Sequence, residues 1–209
     1  MNIESLKEHF NYYLENERVF LDTERYAYFS KRCKGTYSYL YSNLLMSVCS
    51  DFESLYRSFY GKSENDEIKI DDMIANIKSD STINSVLDEV IILKGSDYGP
   101  IQPFKITTNP KNNKSYFDWW HCNNMIKHNK INKLFHANQE IIIKALGALY
   151  TFSVYILHTM KEENDGIDIF LNDRGTFKLD KLHFSTHSIK DGGIIASYDD
   201  VLSILTDDD

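Results

Sequence analysis

The sequence predicts a mainly α protein, a helical bundle followed by a small β-rich or irregular C-terminal segment. Three observations carry the fold expectation. Apolar residues recur at helical spacing over a long stretch between positions 36 and 62. A second run, "IIIKALGALYTFSVYIL", is apolar on several faces, as a helix central to a bundle requires. After Asn164 the texture changes to short β-type runs, "IDIFLN", "TFKLDKLHFS" and "GGIIAS", parted by glycine and aspartate turns. The expected division is a bundle over 1–164 and an appendage over 165–209 packed on the same domain.

The first helix is expected over about 1–17, with Ile3, Leu6, Phe10, Tyr13 and Leu14 on one side. The second follows Gly35. Tyr37, Leu40, Leu44, Val48, Phe52, Leu55 and Phe59 keep to one face across roughly six turns. Gly61 is placed to end it. The tyrosines of "TYSYLYS" could stack on bases, but helical spacing assigns them to packing in the bundle seam. Asp51 and Glu53 on this helix read as a solvated face.

A short helix, "IDDMIANIKSD", opens with aspartates that suit the positive end of the helix dipole. "EVIILKG" is too short to separate a strand from a buried helix. "SDYGPIQPFKITTNPKNNKS" contains all three prolines and reads as a long surface loop. Two helices follow, one over about 116–130 and one from 137 or 138 to about 162. The acidic "DDD" at the end reads as frayed.

Composition narrows the class. With 42% hydrophobic and 26% charged residues the chain can bury a real core. "MNIESLKEHF" lacks an apolar run behind a basic cluster, so no secretory leader is expected. Lys144 interrupts the longest apolar run, leaving it short of the roughly 20 residues a bilayer span needs. A cytoplasmic protein without membrane contact is expected. Cys33, Cys49 and Cys122 are odd in number and widely spaced, as reduced thiols rather than a disulfide framework. No cofactor is expected, and no metal. His183 and His187 are four apart but lack a third ligand, and the cysteines lack paired zinc spacing.

The net charge of −8 argues against wholesale capture of nucleic acid, yet it hides an asymmetry. Residues 105–133 hold six lysines against the single acid Asp118, a local +5, so the remainder carries −13. A positive island in a negative protein suits a localised anion contact.

That island runs into "DWWHCNNMIKHNKINKLFHANQE", which contains both tryptophans and three of the seven histidines. On a helix advancing about 100° per residue, Trp119, Cys122 and Ile126 share one side with Met125 beside them. His121, Asn124 and His128 share nearly the opposite side, with Lys127 and Trp120 flanking them. Asn123 lies nearer the apolar side. One face can anchor the helix while the other shows two imidazoles, an amide and an ammonium. Imidazole is suited to acid–base work near neutral pH. An ammonium can stabilise charge on a phosphoryl oxygen, and an amide can orient either group.

At these residues the pattern "WW…NN-M-I-K-H-N-K…HANQE…ALGALYTF" resembles the HEPN superfamily, over roughly 118–157. It looks like bacterial and phage members with a Trp-rich helix, an Asn-x-x-Lys-His core and a long apolar helix after it. Many HEPN proteins are metal-independent ribonucleases of toxin–antitoxin, abortive-infection and CRISPR systems. Their hallmark is Arg, a polar residue, three variable residues, then His. Here Asn124 takes the polar position and His128 the histidine, while Asn123 stands where the family has arginine. Asparagine lacks the arginine's charge and fixed fork of donors.

The resemblance implies a catalytic set of His128, Lys127, Asn124 and Asn123. It further implies an RNA-contacting set of His121, Trp120, Lys130, Lys133 and Lys114. His128 would move a proton at the RNA 2′-hydroxyl or the leaving 5′ oxygen, with Lys127 and the amides on the phosphate. Two copies are expected to pair, and RNA or a nucleotide is the expected ligand. An antitoxin or defence-system protein is a further expected partner. The alternative is a non-catalytic HEPN-like dimeric module that contacts RNA, nucleotide or a protein.

Overall fold

The computed structural model describes residues 1–94, 96–110, 112–163 and 177–179. It is mostly helical. The order is α1 (Ile3–Asp22), α2 (Tyr39–Tyr60), α3 (Ile70–Ser79), β1 (Ile91–Leu93), β2 (Ile106–Thr108), β3 (Ser115–Phe117), α4 (Asp118–His128), α5 (Lys130–Lys133), α6 (Gln139–Glu163) and β4 (Phe177–Leu179).

Each long helix starts and stops for a local reason. Asn2 caps α1 by accepting from the Ser5 N–H at 2.9 Å, and Ser38 caps α2 from the Tyr41 N–H at 3.0 Å. Gly61 ends α2 in the left-handed region (φ 62°), and its N–H donates to the Arg57 carbonyl. The first helix runs to Asp22, five residues past the expected end. Glu17 helps explain why: it lies buried in the bundle, accepting from the Tyr13 hydroxyl at 2.5 Å, so the acid does not mark a surface boundary.

Helix α6 packs against α1, α2 and α4. Its central course is almost wholly buried, from Ile142 and Ile143 through Leu146, Leu149, Phe152 and Ile156. By length and composition Gln139–Met160 is long and apolar enough to cross a membrane, but 83% of its window is buried inside the protein. The lysine within it is also provided for. Lys144 pairs with Asp118 at 3.2 Å and Glu140 at 3.4 Å.

The core centres on Phe52. Its ring lies 5.0 Å from Trp119 and 5.1 Å from Phe152, with Phe104 at 5.9 Å. Phe104 belongs to the stretch expected to be a surface loop, and that expectation is corrected for the first half of the stretch, while residues 112–114 are exposed. Tyr98, Ile101, Pro103 and Phe104 are buried, and Ile91 exchanges backbone bonds of 2.8 and 2.9 Å with Ile101. Pro103 is tucked under the bundle because its apolar neighbours are drawn there, while Pro100 and Pro110 stay exposed. Gly147 permits this close approach: a Cβ at that position would come within 2.1 Å of the Ile91 Cδ1 methyl.

"EVIILKG" resolves as strand β1, which pairs antiparallel with β4, Ile91 opposite Leu179. Strand β4 falls in the region expected to form an appendage. The rest of that region, with His183, His187 and the terminal acids, lies outside the described residues. Strands β2 and β3 form a separate antiparallel hairpin that leads directly into α4.

Candidate functional site

Helix α4 is held at its start and along one face. Asp118 accepts from the Thr107 hydroxyl at 2.8 Å and from Lys144 at 3.2 Å. The Trp119 indole N–H donates to the Pro103 carbonyl at 3.0 Å. Trp119, Cys122 and Ile126 are buried, as the spacing requires. The opposite side faces outward: Lys127 and His128 are exposed, and His121 and Asn124 are half-buried.

Two of the expected site residues are not at the surface. Trp120 is only 5% exposed and meets Trp119 edge-on at 5.7 Å. It cannot serve as an open stacking platform, because its large ring gains more from the bundle than from water. Asn123 is fully buried, and among the described residues neither its amide nitrogen nor its amide oxygen has a hydrogen-bond partner. It is sealed from any phosphate in this conformation.

The remaining residues divide between the two ends of the helix. At the N-terminal end, His121 stacks on Tyr116 with ring centres 4.5 Å apart. Lys114 lies in the exposed turn of the hairpin, whose Asn113 adopts a left-handed backbone (φ 54°). His128 is two turns beyond His121, about 10 Å along the axis, and the two imidazoles therefore serve different ends. The expected helix through position 130 breaks at Asn129, whose side chain caps the short α5.

The cations of α4 and of the segment that follows it have distinct settings. Lys130 donates to the Asn43 amide oxygen of α2 at 2.6 Å. Lys127 lies near enough to the buried Cys49 thiol to oppose the upward shift that burial gives it. Lys133 is half-buried, and after burial it is the largest influence holding the His136 imidazole below its usual range, with His121 adding to it. His136 itself packs beside Phe135 at 4.2 Å. Lys127, Lys130 and Lys133 thus fall within seven residues, a local concentration of positive charge.

Asp51 and Glu53 of α2 are half-buried and engaged by partners rather than freely solvated. Asp51 accepts from Asn16 of α1 at 2.5 Å, and burial raises its carboxyl above the usual range. Glu53 pairs with Arg57 at 2.8 Å. All three cysteines are free thiols, and burial pushes Cys122 up to about 11. Among the described residues no group of three or more potential ligands could hold a metal ion.

The seam expected for "TYSYLYS" is only partly present. Tyr41 is buried, but Tyr37 and Tyr39 are exposed, as is Leu40. Tyr39 and Leu40 open α2, and Tyr37 lies just before it. Tyr26 and Tyr28, just upstream, are exposed as well. A signal for this surface was present in the sequence: residues 25–39 combine four tyrosines with Arg25, Lys31, Arg32 and Lys34 and contain no acid.

No family model, no curated protein and no solved structure matches this chain.

Proposed function

We propose that this chain is a HEPN-like helical module that contacts RNA through the exposed side of α4, working as a symmetric dimer. The observation that carries the reading is the two-sided character of α4. Trp119, Cys122 and Ile126 anchor it in the core, while Asn124, Lys127 and His128 stand together on the outside. An isologous pairing would bring two such strips together. The setting implied by the resemblance is bacterial or phage defence, or a toxin–antitoxin pair, with a cognate protein as partner.

A binding role is preferred to a full ribonuclease because of position 123. The family hallmark has arginine there, a fork of charged donors for a phosphate. Asn123 offers no charge and is buried.

A second reading, metal-independent cleavage, is favoured by His128 and Lys127 being exposed side by side. In that reaction the imidazole takes the 2′-hydroxyl proton and O2′ attacks phosphorus. The 5′ oxygen then leaves and is protonated, giving a 2′,3′-cyclic phosphate and a 5′-hydroxyl. The Lys127 ammonium would stabilise charge on the phosphoryl oxygens.

Incubation with end-labelled single-stranded RNA in EDTA separates the two. The module reading expects binding without cleavage, weakened when Lys127 and His128 are both changed to alanine. Cyclic-phosphate products that vanish in His128→Ala would establish the ribonuclease instead. Absence of any RNA binding would remove both readings.

A further inference from the structure

A group of exposed tyrosines is a feature of the described surface that the α4 strip does not account for. Tyr26 is 87% exposed, Tyr28 and Tyr39 61%, and Tyr37 54%. Three lie in the connection from α1 to α2, and Tyr39 is the first residue of α2. Tyrosines are amphipathic, and four at this exposure within fifteen residues, 25–39, are not accounted for by packing.

The connection is not a loose loop. Phe29 is buried and stacks on Phe20 at 4.4 Å. Gln139, at the start of α6, ties the segment down with nearly every polar group it has. Its side-chain amide donates to the carbonyls of Ala27 at 3.2 Å and Tyr28 at 3.3 Å, and its backbone N–H to Thr36 at 2.9 Å. Its amide oxygen accepts from the Tyr98 hydroxyl at 2.5 Å. The Lys31 N–H donates to Asp97 at 2.8 Å, and Tyr37 forms a β-bridge with Asn138. The exposed rings are thus carried on a fixed backbone, which lowers the ordering cost of binding.

Charge identifies the occupant. The segment contains Arg25, Lys31, Arg32 and Lys34 and no acid. Arg25 is paired with Asp22 at 3.2 Å, and Lys34 lies 3.8 Å from Glu140. Lys31 and Arg32 are exposed and have no ion-pair partner among the described residues. A second copy of the chain would set this positive surface against itself, since a two-fold contact brings the same patch to both sides. Like charges would then face each other. A strand of phosphates with unpaired bases supplies what the surface lacks: negative charge for the cations and flat faces for the rings.

We infer that residues 25–39 form a stacking platform for single-stranded RNA, separate from the α4 strip. This rests on the reading of the chain as an RNA-contacting module, and it places the principal base contacts on Tyr26 and Tyr28 with Lys31 and Arg32 on the phosphates. Stacking requires open base faces, so an unpaired strand binds in preference to the same strand in a duplex.

The test measures binding of a fluorescein-labelled oligouridylate by anisotropy, in EDTA, with the full chain. Three proteins are compared: wild type, Tyr26→Ser with Tyr28→Ser, and Lys127→Ala with His128→Ala. Because Tyr26 and Tyr28 are exposed, the first pair leaves the thermal midpoint near wild type, which circular dichroism checks. That pair is expected to bind about tenfold more weakly or worse and to lose the RNA-induced quenching of tyrosine emission. Arg32→Gln is expected to weaken binding without removing the quenching.

Wild-type affinity in the tyrosine pair overturns the inference. If only the Lys127 and His128 pair loses binding, the α4 reading survives and the platform does not. If only the tyrosine pair loses it, the platform stands and α4 is not the contact. Should the tyrosine substitutions instead convert a dimer to monomers at unchanged affinity, the surface belongs to a second copy and the inference fails. A wild-type protein that binds no oligouridylate overturns both.

Discussion

Asn123 shows how one residue can separate a likeness in sequence from a likeness in chemistry. A buried amide without partners forfeits hydrogen bonds to water that nothing in the fold replaces. Its replacement by an apolar side chain of similar size removes that cost. Asn123→Leu is therefore expected to unfold at equal or higher urea concentration, with a gain of up to about 1–2 kcal/mol. A loss of more than about 1 kcal/mol would reveal a polar partner for the amide.

His9 makes a second expectation at this scale. Burial holds its imidazole below the usual 6.5, against the opposing influence of Glu8. Its Nδ1 is also buried and unpartnered. Between the lowered folded value and 6.5 the unfolded chain binds more protons, so stability rises with pH across that window. Above 6.5 the residue adds no pH dependence. His136, lowered for a similar reason, acts in the same direction. The thermal midpoint should climb from pH 5 to pH 7, and His9→Gln should flatten the climb. An unchanged slope in that variant would assign the effect elsewhere.

At the scale of elements, the start of α6 links the bundle to the surface beside it. Gln139 reaches three backbone positions of the α1–α2 connection and the Tyr98 hydroxyl. Gln139→Ala leaves those side-chain partners without their bonds, at a cost of about 2–3 kcal/mol. Amide exchange across 27–30 should accelerate more than exchange in the middle of α2. If protection falls evenly over the whole chain, the glutamine supports the core in general and not this connection.

Helix α4 illustrates a different point about elements. Its buried and outward faces were readable from spacing, because a helix imposes a fixed angle between successive side chains. Trp120 was not. Angle alone put it beside the polar strip, but a ring of that size reaches the neighbouring core.

At the scale of the whole molecule, the charge pattern sets what RNA binding can look like. A chain with net charge −8 repels polyanions at long range, so contact must be local. If residues 25–39 are the proposed platform, with Lys31 and Arg32 its two cations unpaired among the described residues, binding should weaken only gently with salt. The slope of log affinity against log salt is expected between about −1 and −3, at roughly −0.7 per phosphate for single strands. A slope near zero would mean that phosphates are not contacted. One steeper than about −5 would mean a broad polyanion groove, which this charge distribution does not provide.

By itself the sequence determined the helical class, the face of α2 from Leu44 to Leu55, the Gly61 stop and the outward strip on α4, because periodicity and capping act over a few neighbouring residues. It also determined the charge asymmetry, which needs only counting. Tertiary structure decided what distant partners cover. It drew Pro103 and Phe104 into the core, closed Trp120 and Asn123 from solvent, and left Tyr37 and Tyr39 open while burying Tyr41. Those outcomes depend on which helix ends where and what lies across from it, and burial energy is a property of the neighbours that meet there.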